Sequence, residues 1–386
     1  MGKGKSSILT LLSIAGFVAI LSSTASKSPT LPLFAEYLGA GPGEIGVIAA
    51  ASTIVGIVVN ITAGTLSDIY GRRKLLLTSG FFFSTAPFLY LLVNEPWQLI
   101  AVRVYHGVAT AIFTPVTIAS IADVYKERRG EFMGYFSSAT LVGRLIAPLM
   151  AGSLITIYSF REAYIACGVF GTAALITLIK FPETKSSYHT SKGVGMRVLK
   201  VLSNSGILVA STVMALTYFA MQSIETFLPL YMETIKVEPW LMGAVFALEL
   251  GVITALKPYG GRLYDRIGGS KVIGVGTILM TLGLLAIAYS SNYILILISI
   301  TVFAIGAAFT TASILPLISK IAYGVHGAAL GAMETIKDVG QASGPIVIGL
   351  LTTYITYGEA FMVIAIITAA TIALNIALHI KMRPQT

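Results

Sequence analysis

Apolar runs of membrane-crossing length recur from one end of the chain to the other, separated by short polar intervals that carry most of its glycine, proline and charge. Crossing ~30 Å of hydrocarbon as a helix takes about 20 residues. On that criterion the pattern predicts twelve helices: α1 near 8–36, α2 near 44–67, α3 near 73–93, α4 near 97–123, α5 near 129–158, α6 near 162–180, α7 near 206–232, α8 near 240–263, α9 near 271–290, α10 near 293–320, α11 near 328–356 and α12 near 359–380. The first run follows Lys3 and Lys5 and ends near Ser23-Thr24-Ala25, an arrangement that a secretory leader also shows. Its counterpart in the second half has no such context, so it reads as a retained helix.

The longest polar interval, Pro182 to Ser205, divides the helices six and six. Residues 1–181 and 206–386 are therefore expected to form two six-helix bundles joined by a linker over 182–205, within which Gly195 to Ser203 reads as a short amphipathic surface helix. The fold class is all-α, a polytopic membrane protein. Composition agrees: 55% of 386 residues are hydrophobic and only 11% charged, too few charges for the surface of a soluble protein of this size. The net charge of +9 does not point to nucleic acid, because the bases cluster in alternate loops. One set of loops holds Arg72, Arg73 and Lys74; Lys126, Arg128 and Arg129; Lys185, Lys192, Arg197 and Lys200; and Arg262, Arg266 and Lys271. The opposite set holds Arg161 and Lys236 against Glu36, Glu44, Glu95, Glu162, Glu233, Glu238 and Glu359. Positive loops stay in the cytoplasm, so both termini are expected there, in a plasma-membrane protein. Trp97 and Trp240 open α4 and α8 at the outer interface, where indole rings favour the headgroup layer. The single cysteine, Cys167, excludes an internal disulfide.

An internal repeat underlies this organisation. Pro32 and Pro229, Gly46 and Gly243, Gly64 and Gly261, Asp68 and Asp265, Gly71 and Gly268, Gly143 and Gly340, and Pro148 and Pro345 are all separated by 197 positions. The register aligns α1–α3 and α5 with α7–α9 and α11, with α4 and α10 expected to drift in between.

Gly64-Thr65-Leu66-Ser67-Asp68-Ile69-Tyr70-Gly71-Arg72-Arg73-Lys74 resembles the loop motif between the second and third helices of the major facilitator superfamily, and Gly261 to Gly268 is a second copy. Arg103-Val104-Tyr105-His106-Gly107 resembles the family's helix 4 motif. Gly143 to Gly152 resembles its antiporter motif, with Ala147 and Ala151 at two glycine positions, and Pro182-Glu183-Thr184-Lys185 resembles the sequence that ends the first half. The resemblance implies two parallel six-helix halves about an axis along the membrane normal. It implies secondary transport by alternating access, most like the twelve-helix drug/proton antiporters; the alternative is a symporter or uniporter of a sugar, organic acid or other metabolite. It also implies a conformational latch of Gly64, Asp68, Gly71, Arg72, Asp123 and Asp265, stronger in the first copy because Gly269 and Ser270 replace the two arginines of the second. Asp68 is then expected near the N-terminus of a helix of the other half, and Asp68→Asn to slow transport.

Charge within the helices narrows the site further. Lys27, Arg103, Arg144, Glu225, Glu249, Lys257, Glu334, Lys337 and Asp338 lie in α1, α4, α5, α7, α8 and α11, whereas α3, α6, α9 and α12 have none in their interiors. Charge against lipid is costly, so the uncharged four are the expected peripheral helices. Five bases against four acids give no preference for the sign of a substrate. Lys27, Arg103, Glu225 and Asp338 are the candidates for proton coupling and the substrate cavity, with snorkelling to the headgroups the alternative for Arg103. Lys27 and Glu225, at nearly equal depth on α1 and α7, are an expected outer gate. Asp338 is deep enough in α11 for its ionisation to be costly, and Lys337, about 100° round the helix, is not its automatic partner. Arg144 with Glu249 and Lys257 with Glu334 are expected interface pairs, and Pro148 and Pro345 expected packing kinks. No nucleophile–base pair, metal-ligand set or phosphate-binding loop occurs, so catalysis, metal and cofactor are not expected. The expected partners are a small-molecule substrate, protons and the lipid bilayer, with no nucleic acid, for a monomer.

Overall fold

The computed structural model describes residues 3–184, 204–322 and 326–381. The proposed surface helix over Gly195 to Ser203, with Lys185, Lys192, Arg197 and Lys200, lies outside the described residues. The helices are α1 in two pieces (Lys3–Ala25 and Thr30–Tyr37), α2 (Pro42–Tyr70), α3 (Arg72–Leu89, followed by a 3-10 turn Tyr90–Leu92), α4 (Pro96–Val124), α5 (Arg129–Ile157), α6 (Phe160–Ile179), α7 (Ser205–Thr234), α8 (Pro239–Ile267), α9 (Gly269–Ala288), α10 (Tyr293–Ile321), α11 (His326–Thr352) and α12 (Tyr357–Lys381). Among the described residues no strand occurs.

The repeat extends to the helix boundaries. Residues 42, 72, 96, 129 and 160 open α2 to α6, and 239, 269, 293, 326 and 357 open α8 to α12, each 197 positions later. The expected drift of α4 against α10 is absent: both helices start and end in register. Two points depart from the pattern of hydrophobicity. Helix α1 is interrupted between Ala25 and Thr30, where Pro29 lacks an amide hydrogen, and Lys27 sits in that break. Eleven spans among the described residues are apolar enough to cross a membrane by composition; α11 is not one of them, because Glu334, Lys337 and Asp338 crowd its first half.

The chain divides into two compact units, Met1–His189 with Glu238–Ala247, and Thr190–Val237 with Leu248–Thr386. Each buries its own apolar core: Leu76, Phe83, Phe113, Phe136 and Leu178 in the first, and Val213, Ile273, Ile314, Ile318 and Met333 in the second. The packing partners correspond as well. In the first unit α1 packs on α5 and α6, and α3 on α4 and α6; in the second α7 packs on α11 and α12, and α9 on α10 and α12.

Within a bilayer apolar surface alone does not bring helices together, so close approach depends on small residues. A Cβ on Gly143 would lie 2.7 Å from the Phe17 carbonyl oxygen, and one on its repeat-mate Gly340 would lie 2.2 Å from that of Ala215. Both residues of the antiporter-like motif thus serve close packing of α5 on α1 and α11 on α7. The buried prolines Pro148 and Pro345 sit inside α5 and α11 without ending them.

Candidate functional site

The connection from α2 to α3 turns on Gly71, whose φ of +99° only glycine adopts readily, and its repeat-mate Gly268 has φ +89°. The turn delivers Arg72 between two acids: its Nη2 lies 2.5 Å from Asp68 Oδ1 and its Nε 3.0 Å from Asp123 Oδ2, while Nη1 donates to the Ser67 hydroxyl. Arg72 is buried, so the two carboxylates supply the counter-charge it needs. The start of α3 is closed by Glu183. Its carboxylate accepts from the amides of Arg72 (2.8 Å) and Arg73 (3.2 Å), an anion on a helix N-terminus. The Arg73 side chain donates to the carbonyls of Phe181 (2.8 Å) and Ile179 (3.1 Å). One short loop therefore binds α2, α3, α4 and the end of α6.

In the second copy Ser270 stands where Arg73 does. Its hydroxyl donates to Asn375 Oδ1 (3.1 Å), and Asn375 Nδ2 returns a bond to the Ser270 carbonyl (2.7 Å). The same tie between third and sixth helices is made without charge. Asp265 is exposed and forms no ion pair among the described residues, whereas Asp68 is paired.

Arg103 does not snorkel. It is 3% exposed and donates from Nη2 to the Ser52 hydroxyl at 2.5 Å. One turn on, a Cβ at Gly107 would lie 2.9 Å from Ser52 Cα. The arginine–glycine spacing thus addresses one residue of α2, the glycine allowing contact and the arginine reaching the hydroxyl.

The second unit contains a polar seam between α7 and α11. Lys337 Nζ pairs with Glu334, lies 3.2 Å from Asp338 Oδ1 and stands 5.1 Å over the Tyr218 ring. One turn further along α11, Gln341 Nε2 donates to Gln222 Oε1 at 3.1 Å, and Gln222 Nε2 donates to Glu225 Oε2 at 2.9 Å. Contact is possible because Gly340 and Gly344 bring the α11 backbone onto α7; a Cβ at Gly344 would lie 2.5 Å from the Phe219 carbonyl oxygen. Glu249 of α8 lies beside this line. It is 7% exposed, has no hydrogen-bond or ion-pair partner among the described residues, and is near enough for its charge and that of Glu225 to repel. The seam thus gathers four carboxylates and one ammonium, a field that favours cations and protons.

The sequence model described as Major Facilitator Superfamily matches residues 12–254 and 241–386, nearly the whole chain. The chain belongs to the Major Facilitator Superfamily. It is a multi-pass membrane transporter of small molecules and not an enzyme. It is 28% identical over 332 residues to an uncharacterized MFS-type transporter of Methanocaldococcus jannaschii (84% of this chain, 86% of the relative). It is 25% identical over 394 residues to multidrug resistance protein 1 of Bacillus subtilis, with 98% of each covered. Probable nitrate transporters of Staphylococcus epidermidis and Staphylococcus haemolyticus are also among its relatives. The crystal structure of the nucleoside transporter NupG shares the fold, with a TM-score of 0.78 at 13% identity over 98% of this chain and 100% of that one.

Against the expectations for this family member, the geometry requires three corrections. Lys337 does reach Asp338, because its four-carbon stem sweeps far enough round the helix to touch both Asp338 and Glu334. Glu334 accordingly pairs within α11, while Lys257 is exposed. Arg144 is exposed and makes no ion pair among the described residues, and neither does the buried Glu249. Glu225 and Lys27 are half-buried, the first held by Gln222. The residues missed from sequence are Tyr218, Gln222 and Gln341 in the seam; Glu183 stands in the motif that ends the first half, but its cap on α3 does not follow from that motif. The glutamines carry no charge to mark them, but they fall four positions after Tyr218 and Lys337 respectively, on the same helix faces.

Proposed function

We propose that this transporter exports cationic, amphipathic small molecules in exchange for protons, in the plasma membrane, as a monomer with both termini in the cytoplasm. The observation that carries the reading is Glu249: a buried carboxylate without a basic partner among the described residues, beside a second carboxylate, Glu225. A buried carboxylate that lacks a basic partner is a place where a proton and a cationic group can substitute for one another, and exchange of one for the other is the elementary act of an antiporter. Asp338 has Lys337 beside it and is less suited to that exchange. Positive-inside loops support the orientation, and the relative named a multidrug resistance protein supports the substrate class. Metabolite uptake is the competing reading, favoured by the relatives named probable nitrate transporters.

Proteoliposomes separate the two. With an acidic lumen and the membrane potential clamped, they are expected to accumulate a permanently charged lipophilic cation, which pH trapping does not concentrate. Failure to do so, together with uptake of a metabolite driven by an acidic exterior, would assign the chain to symport.

A further inference from the structure

The first unit holds a second buried polar cluster, which the exchange proposed above does not use. Tyr90 follows α3, Arg103 and His106 lie on α4, and Tyr164 on α6; the four are 0–3% exposed. Tyr90 stacks on Tyr164 with ring centroids 4.4 Å apart and planes 4° from parallel, and the His106 ring lies 6.1 Å from that of Tyr90. The Arg103 guanidinium is near enough to act electrostatically on all three. The Tyr164 hydroxyl and both His106 ring nitrogens are buried without a hydrogen-bond partner, and the Tyr90 hydroxyl and Arg103 Nε, likewise buried, have none of good geometry beyond the approach of Arg103 to Tyr90. Buried polar groups in folded proteins are nearly always satisfied, so this concentration of orphans needs a physical reason. Arg103 pairs with no carboxylate among the described residues; it donates to the Ser52 hydroxyl and lies against that of Tyr90. Two phenols, a guanidinium N–H and an imidazole N–H can each donate at the same time, and the guanidinium among them is positive.

We propose that Arg103, Tyr90, Tyr164 and His106 form a binding site for a small inorganic anion of chloride size, buried in the first unit. A single anion would accept from the free donors and neutralise the guanidinium, as a carboxylate does elsewhere. The near-complete burial of all four side chains restricts the guest to a monatomic or comparably small ion.

The purified full-length protein, unfolded thermally in detergent, tests this. Chloride is titrated against gluconate at constant ionic strength. A ligand of the native state raises the midpoint saturably, and the expected response to chloride is of that form. Arg103→Gln is expected to weaken apparent chloride affinity by about tenfold or more, as for loss of a charged hydrogen-bond partner. Tyr164→Phe removes one donor with little change of shape; it is expected to shift the titration to higher chloride and serves as the deciding variant if Arg103→Gln does not fold. In crystals grown with bromide, an anomalous peak is expected within hydrogen-bonding distance of Arg103 Nε. A midpoint that does not respond specifically to chloride, an unaltered response in the folded variants, or an ordered water in place of bromide would overturn the site.

Discussion

Glu249→Gln is expected to abolish the accumulation of a cation against a pH gradient while leaving the protein folded. A pH difference of two units acting on one coupled proton is worth about 2.7 kcal/mol, an accumulation ratio of about a hundredfold. The amide cannot exchange a proton for a cation, so the ratio should fall to about one, with downhill exchange of labelled for unlabelled substrate retained. Folding should survive because the carboxylate has no partner among the described residues to lose, and its charge opposes that of Glu225. The amide has the shape and neutrality of the protonated carboxyl and so adds no desolvation cost. Thermal unfolding together with gradient-driven flux separates this outcome from simple damage. A folded variant that still concentrates cation would show that coupling resides elsewhere.

Gly340→Ala is expected to be the most destabilising conservative change in the second unit. The added methyl would lie 2.2 Å from the Ala215 carbonyl oxygen and 2.6 Å from its carbon, and backbone cannot rotate aside as a side chain would. Overpacking of this kind costs about 1–3 kcal/mol, and here it also pushes apart the helices that bring Gln341 to Gln222. Gly331→Ala, in the same helix, meets nothing within 4 Å and is expected to be neutral or to gain up to about 1 kcal/mol from helix propensity. The opposed signs are read from thermal midpoints in detergent. Equal effects of the two substitutions would mean that α11 and α7 are not held in contact through Gly340.

Much of the fold was legible because membrane helices leave two strong marks, length of apolar run and register of repeat. The spacing of 197 between Gly71 and Gly268 reappears as a shared positive φ. Asp68, Arg72 and Asp123, which the resemblance grouped, lie in ion-pair contact. Three features were hidden for physical reasons. Glu183 stands in the motif that ends the first half, but it is 111 positions from Arg72, and nothing local shows that it caps that distant helix. Gln222 and Gln341 are neutral, so a search by charge passes over them. Summing charge over the whole chain also concealed a segregation: the intramembrane acids Glu225, Glu249, Glu334 and Asp338 all lie in the second half, while Lys27, Arg103 and Arg144 lie in the first.

The exchange of proton for cation is tested most directly without any gradient, by proton release on binding. Purified protein in weakly buffered solution is mixed with a saturating permanently charged lipophilic cation, and a pH indicator reports the protons displaced. About one proton per bound cation is expected at some pH in the range scanned, and Glu249→Gln is expected to release none at any. Stoichiometric binding of the cation with no proton released at any pH would contradict proton–cation exchange at Glu225 and Glu249.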